Sequence, residues 1–93
     1  MALLTETEIE RRLAKLHDWQ RDGQRIRRTF ELASFPSAIA FVNRVAGLAE
    51  EADHHPDIDI RYRRVTLTLS THSAGGLTAK DTELAGKIDA LPQ

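Results

Sequence analysis

Apolar residues recur at intervals of three and four in three segments of the chain, and this spacing predicts three amphipathic helices. In the first segment Thr5 and Glu8 match a capping box, and this helix is expected to end near His17. The second segment is the longest and must end before Pro56, since the residue preceding a proline disfavours helix. The third helix begins after Thr78, and its apolar stripe consists of Leu84, Ala85 and Ile88.

Alternating apolar and polar residues between these segments predict two β-hairpins. The first is expected to turn at Asp22-Gly23, and Arg28 interrupts its apolar face, which we interpret as a position near a sheet edge. The second has Ile58 and Ile60 on one face and turns at residues 62–64. The resulting order α-β-β-α-β-β-α contains no βαβ signal. It predicts an α+β fold in which a four-stranded antiparallel sheet has three helices packed on one face.

Composition limits the possible functions. The 93 residues suffice for a single domain, residues 1–93, and the net charge of −1 gives no signal for nucleic acid or a membrane. Cysteine is absent, which excludes disulfides and thiol nucleophiles. The N-terminus shows no signal-peptide pattern, and no apolar run approaches the roughly 20 residues that span a bilayer, so a cytoplasmic location is expected.

Titratable side chains cluster on either side of the second hairpin. Several imidazoles near one pocket are suited to moving protons in both directions near neutral pH. Nearby carboxylates can fix an imidazole tautomer, and Pro56 restrains the backbone next to two of the histidines. The candidate catalytic residues are His54, His55 and His72, and the candidate supporting or substrate-binding residues are Glu50, Asp53, Pro56 and Asp81.

Each of these residues also has an ordinary structural explanation. His54 could complement a helix dipole, His72 could continue a solvent face, and Asp81 could pair with Thr78 in a capping box. A metal site is disfavoured because adjacent imidazoles diverge and no HExxH pattern occurs. Seven arginines near the strands raise a nucleic-acid hypothesis, but acidic residues offset them. The residues alone therefore indicate a histidine-based proton-transfer site on a small α+β domain.

The second half of the chain resembles the pterin-4a-carbinolamine dehydratase family. The resemblance is carried by four elements of residues 50–88: His54-His55-Pro56, a hairpin over residues 62–69, Thr71-His72, and Gly76-Leu77-Thr78 followed by Asp81. The N-terminal half agrees more loosely, through Trp19 and the first hairpin. Ile58 differs from the family, where an aromatic residue is common shortly after His-His-Pro, and Lys80 replaces an arginine found in some relatives.

The resemblance implies an enzyme that removes water from 4a-hydroxytetrahydropterin to give quinonoid dihydropterin. It implies that His54, His55 and His72 share the acid and base roles, without deciding which does which, and that carboxylates orient them or meet the pterin. It implies no metal or redox cofactor, and a homodimer or homotetramer functionally linked to an aromatic amino acid hydroxylase. The alternative is a binding protein, because some relatives act as a transcriptional coactivator or as an assembly factor on the same scaffold.

Overall fold

The fold is described from a computed structural model that covers residues 2–93; Met1, which belongs to the predicted domain, lies outside the described residues. The predicted order of elements and the predicted fold class are confirmed. The elements are α1 (Glu6–Leu13), β1 (Gln20–Asp22), β2 (Arg25–Glu31), α2 (Phe35–Ala52), β3 (Asp57–Arg61), β4 (Arg64–Leu69), a short 3₁₀ turn (His72–Ala74) and α3 (Ala79–Asp89).

The four strands form one antiparallel sheet in the order β1-β2-β4-β3. Because side chains alternate along a strand, residues that pair directly face the same side of the sheet. One face carries Ile26 opposite Leu69 and Phe30 opposite Val65, all of them buried beneath the helices. The other face is polar, so the helices cover one side of the sheet as the sequence predicts.

Helix α2 supplies the centre of the core. Its buried residues are Ala38, Phe41, Val45 and Ala49, and the Phe41 ring lies 4.8 Å from the ring of Phe30. The predicted stripe also included Ala46, which is exposed. Residues 38, 41, 45 and 49 follow the three-and-four spacing of a helix face, and position 46 lies one residue off that face.

The beginning of α1 is predicted correctly and its end is not. Thr5 Oγ1 accepts the Glu8 backbone N–H at 3.1 Å, while Glu8 accepts the Thr5 N–H at 2.9 Å, and this second bond lowers the pKa of Glu8. The helix ends at Leu13 rather than near His17. Tighter turns follow, in which backbone N–H groups bond three residues back, and they still direct Leu16 and Trp19 into the core.

The first turn lies one residue later than predicted, at residues 23–24, because Asp22 pairs with Arg25. Gly23 still provides the backbone freedom that the turn needs, with a φ of 62°. In the second hairpin the positive φ of 56° falls on Tyr62, an exposed residue that is neither glycine nor asparagine. The turn at residues 62–63 thus falls within the predicted stretch of residues 62–64, although no glycine marks it.

Arg28 lies near a local edge of the sheet, as the sequence interpretation expects. It lies on β2, an inner strand, just beyond the point where the ladder with β1 ends at Gln20 and Arg27. Its guanidinium stacks 4.2 Å from the ring centroid of Phe30 and donates to Asp89 at 2.8 Å. Trp19 Nε1 donates to the same carboxylate at 2.8 Å, so Asp89 joins the end of α3 to the sheet.

Strand β3 is an edge strand whose apolar side chains are incompletely covered. Ile58 and Ile60 pair with Leu67 and Val65 and therefore face the helix side, yet each keeps 38% of its surface exposed.

In the part of the chain that the structure describes, no helix is both long and apolar enough to cross a membrane.

Candidate functional site

The site begins where α2 ends. Asp53 closes the helix in a left-handed conformation, with a φ of 49°, and its backbone N–H bonds to the last-turn carbonyl of Glu50. The His54 N–H returns to the Ala49 carbonyl at 3.0 Å, after which the chain runs extended through His55 and Pro56 into β3. This change of direction places two consecutive histidines in the connection between the end of α2 and the start of β3. The two side chains have different surroundings.

His54 points inward and is held by a buried carboxylate. Its Nε2 lies 2.6 Å from Oδ1 of Asp81, on the first turn of α3. Oδ2 of Asp81 accepts both the Thr71 hydroxyl and the Thr78 backbone N–H, each at 2.9 Å. Asp81 is fully buried and His54 is 9% exposed, so this hydrogen-bond network lies below the protein surface.

Asp81 contacts both the start of α3 and a histidine, so the two explanations that the sequence offered for it are compatible. Its Oδ2 completes the capping box with Thr78 at the start of α3, as the structural explanation predicts. Its Oδ1 bonds the histidine. A carboxylate has several acceptor positions, so one side chain can serve the helix end and the imidazole together.

His55 points outward and meets Glu50, one turn back on α2, with 2.5 Å between Nε2 and Oε2. Both side chains are more than half exposed. Solvent weakens exposed ion pairs, so this contact orients the imidazole more than it stabilises the fold.

His72 is brought to the same place by a tight loop after β4. Thr71 pairs with Gly76 in an isolated bridge, and its carbonyl accepts the N–H groups of Ala74, Gly75 and Gly76. His72 is exposed at the start of the 3₁₀ turn within this loop. Strand β4 ends at Leu69, so the alternation along that strand does not extend to His72, although His72 is exposed as the alternation suggested.

These segments surround one open pocket of about 440 Å³, lined by Asp53, His54, His55, Ser70, Thr71, His72, Ser73 and Lys80. This volume lies within the range of about 300–1,000 Å³ that is usual for small-molecule pockets. Of the predicted site residues, four line the pocket directly; Glu50 and Asp81 reach it through histidines, and Pro56 is not among its lining residues.

Sequence reasoning did not single out the hydroxyl side chains that line the pocket, Ser70, Thr71 and Ser73. Thr71 and Lys80 appeared only as neighbours of His72 and Asp81 in the family motif. The signal available for Thr71 was its place directly before a candidate histidine, but alternation along β4 cannot predict which partner its hydroxyl finds.

Volume alone does not identify this pocket. A cleft of about 420 Å³ between α1 and α3 is lined by Arg11, Arg12 and Lys15 and contains no histidine. Within residues 2–93, no group of three histidine, cysteine, aspartate or glutamate side chains is arranged to hold a metal ion. What distinguishes the histidine pocket is three imidazoles, two of them hydrogen-bonded to carboxylates.

Comparison with known families gives a match over nearly the whole chain. The family model described as Pterin 4 alpha carbinolamine dehydratase matches residues 2–91. The chain belongs to the pterin-4a-carbinolamine dehydratase family. It is 66% identical over 90 residues to a protein of Roseiflexus castenholzii named "Putative pterin-4-alpha-carbinolamine dehydratase", covering 97% of each chain. A protein of the same name from Nocardia farcinica is 60% identical over 89 residues, covering 96% of this chain and 94% of its own.

Two solved structures share this architecture. A transcriptional coactivator/pterin dehydratase from Brucella melitensis has a TM-score of 0.91 and 38% identity, covering 96% of this chain and 97% of its own. A pterin dehydratase-like protein identified as a RuBisCO assembly factor in the α-carboxysome has a TM-score of 0.67 and 27% identity, covering 80% of this chain and 88% of its own. The fold of the dehydratase family is thus found in proteins of more than one described role.

Proposed function

We propose that this family member is an active dehydratase that removes water from 4a-hydroxytetrahydropterin by histidine general acid–base catalysis. The observation that carries the proposal is the convergence of His54, His55 and His72 on one pocket. In this proposal the protein has a role in tetrahydropterin recycling, linked to an aromatic amino acid hydroxylase in the cytoplasm.

The reaction needs two proton transfers at neighbouring atoms of the pterin ring. The C4a–O bond breaks and the leaving hydroxyl takes up a proton to become water. N5 gives up its proton, and its electron pair forms the C4a=N5 double bond of quinonoid dihydropterin. One general acid and one general base balance the reaction with no change of oxidation state, and imidazoles perform both tasks near neutral pH.

Two of the three imidazoles are hydrogen-bonded to carboxylates and the third is not, which supports different tasks for them. His54 is fixed by the buried Asp81, and His55 by the exposed Glu50. His72 has no side-chain hydrogen bond to another described residue and lines the same pocket from the loop after β4. A pterin bound in this pocket would have imidazoles from two separate segments of the chain beside it, and Asp53 could meet its polar edge.

A nucleic-acid role is poorly supported by the arginines that suggested it. Six of the seven have a carboxylate within 4.0 Å, for example Arg21 with Glu6 and Arg63 with Glu31. Paired guanidiniums attract phosphate less than free ones, because the carboxylate cancels much of their field. The remaining alternative is a binding scaffold, which the described roles of the two structural relatives suggest.

The deciding experiment is a dehydration assay with both epimers of 4a-hydroxytetrahydropterin, generated by a hydroxylase and followed by absorbance. We expect the protein to accelerate dehydration of at least one epimer well above the spontaneous rate. A folded protein that gives no acceleration with either epimer would refute the enzymatic proposal and favour the scaffold.

Strand β3 also supports the proposed homodimer or homotetramer. Its outer edge has no strand partner among the described residues, and a free edge is a template for pairing with another chain. Two copies that pair antiparallel along this edge would bring Ile58 and Ile60 of one copy next to the same strand of the other. The exposed isoleucines would then be covered.

Light scattering is expected to give two or four times the chain mass of 10.5 kDa for the unmodified protein. Ile60→Lys is expected to lower that mass, because it would place a charge in the buried part of the interface. Gln20→Lys on β1, the opposite edge strand, is the matched control and should leave the mass unchanged. A monomeric mass for the unmodified protein at assay concentration would contradict the oligomer proposal.

A further inference from the structure

We infer that Thr71 is a positioning residue that acts through Asp81 to hold His54 in one tautomer, with its hydrogen on Nε2 and its Nδ1 free to exchange a proton in the pocket. The catalytic consequence of this inference rests on the proposed dehydratase function; the tautomer itself does not. Both follow from the direction in which the hydrogens of the buried network must point.

The direction is set by the number of donors. Thr71 has one hydroxyl hydrogen, and that hydrogen is donated to Oδ2 of Asp81 at 2.9 Å. The 2.8 Å contact between Thr71 Oγ1 and Thr78 Oγ1 must then use the hydrogen of Thr78. Thr78 Oγ1 in turn accepts the backbone N–H of Lys80 at 3.3 Å. The hydrogens therefore point in one sense, from Lys80 through Thr78 and Thr71 to the carboxylate.

This arrangement determines which nitrogen of the His54 imidazole carries the hydrogen. Oδ2 of Asp81 accepts two hydrogen bonds, one from the Thr71 hydroxyl and one from the Thr78 backbone N–H. An ionised carboxylate only accepts hydrogen bonds, so the 2.6 Å contact at Oδ1 requires that His54 Nε2 carry the hydrogen. In the neutral ring the other nitrogen, Nδ1, is then an acceptor.

The accessibility of Nδ1 fits this assignment. Within residues 2–93, Arg28 Nε is the one buried side-chain polar atom without a hydrogen-bond partner. His54 Nδ1 makes no hydrogen bond to another described residue, so it must keep contact with solvent, and His54 is one of the residues that line the pocket. The nitrogen that can accept a proton therefore keeps contact with solvent, which proton exchange in the pocket requires.

Thr71 is well placed to make this arrangement rigid. Its own backbone is held by the bridge to Gly76 and by three N–H groups donated to its carbonyl. Its hydroxyl thus approaches Asp81 from a fixed point. Without that hydroxyl, Asp81 would lose one of the two donors that orient its carboxylate plane, and His54 could rotate or exchange tautomers.

The test combines NMR with kinetics on Thr71→Val and Thr71→Ser. Long-range ¹H–¹⁵N spectra of histidine-labelled protein, assigned with a His54→Gln variant and recorded where the ring is neutral, report which nitrogen carries the hydrogen. We expect Nε2–H alone in the unmodified protein and in Thr71→Ser, and both tautomers in Thr71→Val. We expect kcat to fall about tenfold to a hundredfold in Thr71→Val with little change in KM, and to recover in Thr71→Ser.

A hydrogen on Nδ1 of His54 in the unmodified protein overturns the inference, and this measurement does not depend on whether Thr71→Val folds. The inference is also overturned if Thr71→Val and Thr71→Ser show the same His54 tautomer and the same kcat. If the tautomer responds to Thr71 but the unmodified protein shows no dehydration, the positioning role is supported and the proposed function is the part that fails.

Discussion

Dehydration by a His72→Gln variant is expected to be roughly 10²–10⁴ times slower than by the unmodified protein, the usual contribution of a general acid or base. His72 is exposed and has no side-chain hydrogen bond to another described residue. Its replacement therefore removes the proposed proton-transfer group without removing a structural contact. Steady-state rates with each hydroxyl epimer, together with urea unfolding, measure the two effects separately.

The matched control is His17→Gln, which replaces an exposed histidine outside the pocket. We expect its rate to equal that of the unmodified protein and both variants to unfold at the same urea concentration. A rate within about twofold of the unmodified protein for His72→Gln, with both epimers, would remove His72 from the mechanism.

The largest effect on stability is expected for Asp81→Ala, a loss of about 3 kcal/mol in the free energy of unfolding. Three donors would lose their acceptor, namely His54 Nε2, the Thr71 hydroxyl and the Thr78 N–H. Each buried donor left unpaired costs roughly 1–3 kcal/mol, and partial rearrangement of the hydroxyls reduces the sum. A loss of this size is a large fraction of the roughly 5–15 kcal/mol that stabilises a typical domain.

Equilibrium urea unfolding of Asp81→Ala and of Glu83→Ala measures this effect against a control on the same helix. Glu83 is exposed and has no ion pair within 4.0 Å among the described residues, so its change should stay within about 0.5 kcal/mol. Asp81→Asn, which keeps one carbonyl acceptor, should fall between the two. Equal stability of all three variants would show that the buried network contributes nothing to folding.

Local signals in the sequence predicted most of the fold. The capping boxes at Thr5 and Thr78 each depend on residues three apart, and both are confirmed. The exposure of Ile58 was not predictable from alternation, because a strand pattern shows which face is apolar but not whether a helix covers it. The single-domain organisation of residues 1–93 stays a prediction.

The candidate site was predictable as a set of residues and not as a set of contacts. His54 and Asp81 are 27 residues apart, and their hydrogen bond depends on how α3 docks against the end of α2. Asp53, a predicted supporting residue, is exposed and ends α2 in a left-handed conformation, a backbone role that the sequence pattern did not indicate. The supporting or substrate-binding roles of Glu50, Asp53 and Pro56 stay predictions, as do the catalytic roles of the histidines.

The double use of Asp81 has a consequence for how this scaffold can diverge. A substitution at position 55 or 72 changes an exposed imidazole, so a descendant could lose both histidines and still fold. A substitution at position 81 disturbs the start of α3 as well as His54. Selection for folding alone would therefore preserve Asp81 after catalysis had been abandoned, so an aspartate at this position is weak evidence of activity, and the exposed histidines are the better guide among distant relatives.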